Sequence, residues 1–249
     1  MTNRTRPLLP ALAVLLVVAA AHGQTNPDAE ARFAMGVNNL REGRVDLALD
    51  DFQKAAKLDP KNSYVMKGLG QAYAAKRRWS DAVAAFRKAL ELNPYYVDVR
   101  NDLGTALVLA GEREAGKKEF HQAFGDPTNP TPEISARNLG QVYFEEKNYA
   151  EAINWFRTSL NRNKGYSDAY LGLTDALLAI GRSDEIIPQL EAGAKELPEE
   201  PSLQLALGEA YFKAGRFTEA RARLEEAARK DPTGASGRRA AEVLKELPR

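Results

Sequence analysis

The sequence predicts an all-α chain of six stacked helix pairs, closed at its C-terminal end by one further helix. Three observations carry that expectation. Gly36, Gly70, Gly104, Gly140 and Gly208 fall at intervals of 34, 34, 36 and 68, the last being twice 34. The same register holds small residues twelve places on (Ala48, Ala82, Gly116, Ala152, Ala220) and bulky ones sixteen places on (Phe52, Phe86, Phe120, Phe156, Leu224). Apolar residues also recur at spacings of three and four, as in Leu69, Ala72, Tyr73 and then Ala82, Ala85, Phe86, Ala89, Leu90. That is the stripe of an amphipathic helix. One helix pair cannot bury its stripe alone, so a fixed period of this length implies that neighbouring pairs stack.

Taken in order, the chain opens with Arg4 and Arg6, an apolar run from Leu8 to Ala21 broken by Pro10, and the small-residue pattern Ala21-His22-Gly23. This has the form of a secretory signal peptide over residues 1–23, too short and too abruptly followed by polar sequence for a membrane span of roughly 20 apolar residues. Cleavage is the expected outcome, with retention as a membrane anchor the alternative, and it leaves an electrically balanced remainder without a stable membrane span, periplasmic in a double-membraned bacterium and secreted otherwise. Asn26-Pro27 is a start signal for the first helix. The repeats are placed at 29–62, 63–96, 97–132, 133–166, 167–200 and 201–234 within a stacked region of 24–249. Gly43, Gly111, Gly181 and Gly215 share one offset and are expected in the left-handed conformation that ends a first helix. Gly70 opposite Ala82 is expected to let two backbones approach. Asp59-Pro60, Asn93-Pro94, Leu197-Pro198 and Asp231-Pro232 end second helices, because proline disfavours helical geometry before it and donates no amide. Ala240, Val243, Leu244 and Leu247 give 235–248 one apolar stripe on an otherwise charged helix, suited to capping the last repeat.

Because several spaced positions recur together, the pattern resembles the tetratricopeptide repeat (TPR). The second repeat carries it most fully, with Leu69-Gly70, Tyr73, Ala82, Phe86, Ala89 and Pro94 in place. The third departs by having Gly116 at the small position and two added residues around 125–130. The fifth has Thr174 and Ile186 where small residues ordinarily meet. The resemblance implies a right-handed superhelical solenoid whose concave face is lined by first helices and binds protein or peptide partners.

Composition narrows the chemistry. Lys plus Arg number 35 against 34 Asp plus Glu, a net charge of +1. That supplies no basic footprint, so a nucleic-acid partner is not expected. There is no Cys, and only His22 and His121 occur. This excludes disulfides, thiolate metal sites, a cysteine nucleophile, a lipid-accepting Cys and a multi-His metal centre within one chain. Gly111-Glu112-Arg113-Glu114-Ala115-Gly116-Lys117-Lys118 nearly spells a phosphate-binding loop, but a Lys stands where the magnesium-binding hydroxyl belongs, and the segment spans an inter-helix turn. His121 lacks a positioned partner for base catalysis. The acid pairs Asp50-Asp51, Glu145-Glu146, Glu199-Glu200 and Glu225-Glu226 read as solvated faces, and Trp79 and Trp155 as packing residues. No catalytic residue, metal or cofactor is expected.

By resemblance, the second, fifth, ninth and twelfth places of a repeat point into the groove. The partner-binding candidates there are Tyr64, Lys67, Gln71, Asn101, Thr105, Arg137, Gln141, Phe144 and Leu171. Phe33, Val37, Leu40, Leu178, Leu205 and Phe212 make the groove apolar toward its ends, with Asp168, Asp175 and Glu209 interspersed. Relatives that clamp a terminal carboxylate use basic and asparagine side chains; here Lys67 matches, but Gln71, Asp102, Ile134 and Asn138 do not. The expected function is a non-catalytic scaffold, monomeric or homodimeric, assembling an envelope or secreted complex. The alternatives are a carboxylate-based hydrolase using Asp168, Asp175 and Glu209, or a soluble variant of a pilus-assembly protein.

Overall fold

The computed structural model describes residues 26–248. The leader read in residues 1–23 lies outside the described residues. Thirteen α-helices make up most of the described residues, in two compact units, one ending at Asn93 and one beginning at Pro94. No described helix is long and apolar enough to cross a membrane.

The first unit holds α1 (Pro27–Arg41), α2 (Val45–Leu58), α3 (Ser63–Ala75) and α4 (Trp79–Leu92). Each packs on the next, and α1 also touches α3. Asn26 starts α1 as expected: its Oδ1 accepts from the N–H of Asp28 at 3.0 Å and of Ala29 at 3.3 Å, with Pro27 in the first turn. Asn62 caps α3 in the same way, accepting from Tyr64 N–H at 3.0 Å. Such a side chain replaces intrahelical partners that the first amides lack, worth about 1 kcal/mol.

The register glycines work differently from the expectation. A Cβ built on Gly36 would stand 2.7 Å from the ring of Phe52, and one on Gly68 2.6 Å from the same ring. The bare backbone makes room for an aromatic ring sixteen residues on, not chiefly for the small residue twelve on. In the second unit Gly104 meets Phe120 at 2.6 Å, Gly140 meets Phe156 at 2.8 Å and Gly208 meets Leu224 at 2.7 Å by the same construction. Phe52, Phe86, Phe120 and Phe156 are all fully buried. Burying each such side chain stabilises by roughly 1.5–3 kcal/mol.

One member of the acid pairs is not on a solvated face. Asp51 is 5% exposed. Asn39 Nδ2 donates to one of its carboxylate oxygens at 2.9 Å, Arg32 Nη1 to the other at 3.1 Å, and Arg44 Nε donates to Asn39 Oδ1 at 2.9 Å. A buried carboxylate is tolerated only when partnered in this way. The other pairs are engaged as well: Glu146 accepts from Lys117, Glu199 and Glu226 from Lys230, and Glu200 caps α11 through Ser202.

The second unit holds α5 (Val97–Leu109), α6 (Arg113–Gly125), α7 (Pro132–Glu145), α8 (Tyr149–Arg162), α9 (Ser167–Ala179), a 3₁₀ turn (Ser183–Glu185), α10 (Ile186–Glu196), α11 (Pro201–Lys213), α12 (Phe217–Lys230) and α13 (Ala235–Glu246). Again each helix packs on its successor; the fourth pair touches both the third and the fifth. Helix α13 lies on α12 and α11 and buries Ala240 and Val243, with Leu247 just beyond it. Gly43, Gly111, Gly181 and Gly215 have φ of +73°, +92°, +74° and +73°. Arg77 (φ 56°) and Lys147 (φ 61°) hold the same offset in the second and fourth repeats without being glycine.

The fifth repeat is irregular. Helix α10 has 11 residues where α8 and α12 have 14. Pro188 is the cause: it has no N–H for the Asp184 carbonyl, and its ring would collide with that carbonyl in an α-helix begun at Ser183. The chain therefore makes one 3₁₀ turn, closed by Ile186 N–H to Ser183 O, and becomes α-helical only afterwards. Packing is preserved by exchanging bulk and space. Thr174 stands in for the register glycine and Leu190 for the phenylalanine, while Tyr170 is buried against Gly193, where an added Cβ would lie 2.9 Å from the ring.

Candidate functional site

The expected partner-binding residues all lie on first helices of the two units. In the first unit Tyr64, Lys67 and Gln71 lie at helical spacing on α3. Tyr64 is 58% exposed; Lys67 and Gln71 are half-buried. On α1, Phe33, Val37 and Leu40 pack partly against the core, with the Phe33 ring 5.8 Å from that of Phe52.

In the second unit a recess of about 190 Å³ between α5 and α7 brings together Thr105, Arg137 and Gln141. Asn101 is not on this open surface. It is 8% exposed, and its Oδ1 accepts from the Ser135 hydroxyl at 2.8 Å. The Thr105 hydroxyl turns back to the Asn101 carbonyl at 3.0 Å. Arg137 donates to Asp168 at 2.7 Å and to Asn138 at 3.1 Å, and Gln141 donates to Glu145 at 3.1 Å. Phe144 is half-buried, its ring edge-on to Tyr149 at 5.4 Å.

Leu171 lies elsewhere, in a larger cavity of about 520 Å³ bounded by α9, the 3₁₀ turn, α10 and α11. Its wall is largely aliphatic, with Leu171, Leu178, Ile186, Ile187, Ala206 and Ala210 beside Asp175, Glu209 and Lys213. This is the size and character of a small-ligand or side-chain pocket. Loss of hydration against this wall pushes the Asp175 carboxyl above its ordinary range, opposed by the nearby Lys213 charge. Sequence reasoning found Leu171, Leu178, Asp175 and Glu209 but missed Ser183, Ile187 and Lys213. The signal that could have found them is Pro188, placed where a regular second helix is already under way.

The three acids of the hydrolase alternative are held in two different ways. Asp168 pairs with Arg137, Glu209 accepts from Arg239 at 2.9 Å, and Asp175 faces the aliphatic wall with only the nearby Lys213 charge acting on it. Glycoside hydrolysis by carboxyl groups uses a pair flanking one bond, and two of these three are tied to arginines. Among the described residues no group of three or more His, Cys, Asp or Glu side chains is arranged to hold a metal ion.

The phosphate-loop-like segment is an ordinary repeat junction. Gly111 is the left-handed turn residue, and α6 follows at Arg113. Lys117 is buried and reaches Glu146 at 2.9 Å and Glu114 at 2.6 Å, with Tyr143 beneath it. Burial acts to lower its pKa, but these two carboxylates outweigh it and hold the pKa above the usual lysine value. His121 stands edge-on to Trp155, 5.1 Å between ring centres, and Trp155 edge-on to Phe124 at 5.4 Å. These rings are packing, at separations typical of aromatic pairs.

Serial helix pairs with a glycine-to-ring register and an open first-helix face define a helical-repeat protein. Models of the tetratricopeptide repeat match residues 10–63, 33–97, 101–170 and 181–244, and the chain belongs to that family. Over 116 residues it is 33% identical to a probable UDP-N-acetylglucosamine–peptide N-acetylglucosaminyltransferase SPINDLY of Hordeum vulgare, covering 44% of this chain and 12% of that protein. The chain thus spans about an eighth of the barley protein. It is 27% identical over 175 residues to the type IV pilus assembly protein PilF of Pseudomonas aeruginosa, 67% of this chain and 69% of the relative. The crystal structure of PilW, a type IV pilus biogenesis factor, superposes with a TM-score of 0.68 at 19% identity, over 86% of this chain and 98% of that one. At that identity the likeness is one of fold.

Proposed function

We propose that the chain is a non-catalytic scaffold that works outside the cytoplasm, binding a peptide or protein segment on its first-helix faces and so assembling or stabilising an envelope or secreted complex. The observation that carries this reading is the aliphatic cavity bounded by α9, α10 and α11, which is lined by Leu171, one of the expected partner-binding residues. Affinity in such a surface comes from a few buried anchors, with charged contacts setting register. The names of PilF and PilW support an assembly role of the pilus type. The leader-like sequence at residues 1–23 supports export, and the absence of Cys makes lipid attachment through a leader cysteine chemically unavailable.

A photo-crosslinking side chain placed at Gln141 or at Leu171, in living cells, is expected to capture one and the same partner. The same group at Glu225, exposed on α12, is expected to capture none of it. Equal capture from Glu225, or none from Gln141 and Leu171, would remove the first-helix face from the proposal. Arg137→Glu should weaken retention of that partner. It should change the melting temperature little, because the pair it breaks with Asp168 is solvent-exposed and worth about 0–1 kcal/mol.

A further inference from the structure

The fifth repeat leaves open a place that its neighbours fill. Four and nine residues past the register position, the fourth repeat carries Phe144 and Tyr149, with ring centres 5.4 Å apart; the sixth carries Phe212 and Phe217, 6.0 Å apart. The fifth has Leu178 and Ser183 at those places, and both line the 520 Å³ cavity. A serine supplies no ring, and Pro188 keeps the turn that carries it out of α-helical geometry. The cavity takes in the place where the flanking repeats carry a second aromatic residue, and Ile186 and Thr174 are buried members of its lining.

Its lining carries two carboxylates that differ in how they are held. Among the described residues Asp175 takes no hydrogen bond and no ion pair, although the Lys213 charge is close enough to act on it. Glu209 is held by Arg239, which leaves Asp175 as the carboxylate with capacity for a new donor. Resting on the scaffold reading above, we infer that this recess receives one aromatic side chain of the bound segment, in the place that Tyr149 and Phe217 take in the flanking repeats, with a basic residue beside it facing Asp175. The aromatic ring supplies the apolar anchor, and the cation pairs with a carboxylate that the fold leaves without a hydrogen bond or ion pair.

The test uses the purified chain with labelled Leu and Ile methyl groups and three capped dipeptides: acetyl-Phe-Lys-amide, acetyl-Ala-Lys-amide and acetyl-Phe-Glu-amide. The first is expected to shift the Leu171, Leu178 and Ile187 methyl resonances saturably. The alanine peptide should bind about tenfold more weakly, the loss of one buried anchor, and the glutamate peptide several-fold more weakly. Ser183→Tyr places the neighbours' own ring in the recess; it should abolish the shifts while the remaining methyl spectrum stays dispersed. Unmoved methyls with acetyl-Phe-Lys-amide, or undiminished binding in Ser183→Tyr, would overturn the inference, and tighter binding of the glutamate peptide would overturn its charge component. Failure here with the Gln141 crosslinks intact removes only the recess, whereas loss of those crosslinks removes the scaffold reading.

Discussion

The fourth and fifth repeats stand side by side in the second unit and solve one packing problem in two ways. In the fourth, Phe156 fills the space left by Gly140 on its own first helix and by Gly172 on the next, and α8 begins on register at Tyr149. In the fifth, Thr174 occupies the glycine place, Leu190 replaces the ring, and the large side chain moves to Tyr170, with Gly193 yielding to it. Both interiors are filled. What differs is the edge: Pro188 delays α10, Ser183 brings no ring, and a cavity opens where the fourth repeat has Tyr149 packed against Phe144. A repeat can therefore exchange its packing residues without losing its core, and the exchange leaves a site behind.

The largest test of this comparison is Phe156→Ala, expected to cost about 3–5 kcal/mol in urea unfolding, since the ring is enclosed from both sides and its loss leaves a cavity. Leu190→Ala should fall lower in the range for such truncations, about 2–5 kcal/mol, because less volume is removed. Next, Gly193→Ala should destabilise by about 1–3 kcal/mol by forcing a methyl against the Tyr170 ring, and a Tyr170→Leu background should recover most of that loss. If the single change is neutral, the exchange of bulk between Tyr170 and Gly193 is not what holds the fifth repeat together.

A smaller effect sharpens the turn comparison. Lys147→Gly should raise the unfolding free energy by about 0.5–1 kcal/mol, relieving left-handed strain at a modest entropic cost, while Gly181→Ala at the same offset should lower it by about 1 kcal/mol. The smallest effects are in pH dependence, read from melting temperatures. Burial raises the Asp175 pKa in the folded state, so its favourable contribution is present at low pH and disappears as pH rises through the raised value. Asp175→Asn should therefore be more stable than the parent at neutral pH, with the difference closing toward pH 4. Glu226 is the opposite case. Hydrogen bonds from Arg229 and Lys230 bring its pKa down to about 2, so it stabilises above the ordinary carboxylate range and ceases to as pH falls to about 2. Glu226→Gln should lose stability at neutral pH and converge with the parent in acid.

Much of the fold was legible because its determinants are local or strictly periodic. Asn26-Pro27, the four turn glycines and the proline stops act within a few residues of themselves. The glycine-to-ring spacing repeats often enough to reveal the register even where the fifth repeat departs from it. The purpose of the glycines was harder to read, since Ala82 and Phe86 both lie in register with Gly70, and only coordinates show which one the missing Cβ accommodates. Asn101 illustrates the limit for the site. Its place in the repeat suggested an open groove, but Ser135, 34 residues on, draws it inward.

The amino-acid sequence by itself determined that this chain forms helix pairs in a fixed register, because helix stripes, turn conformations and proline stops follow from residue types and short spacings. Tertiary structure alone decided that Asp51 is buried, through Arg32 and Asn39, which lie 19 and 12 residues away. It also decided that an aliphatic recess opens in the fifth repeat, where side chains from α9, α10 and α11 converge around a turn that Pro188 keeps from being α-helical. The physical reason is the same in both cases: burial and empty space depend on which distant groups arrive, and no local pattern carries that information.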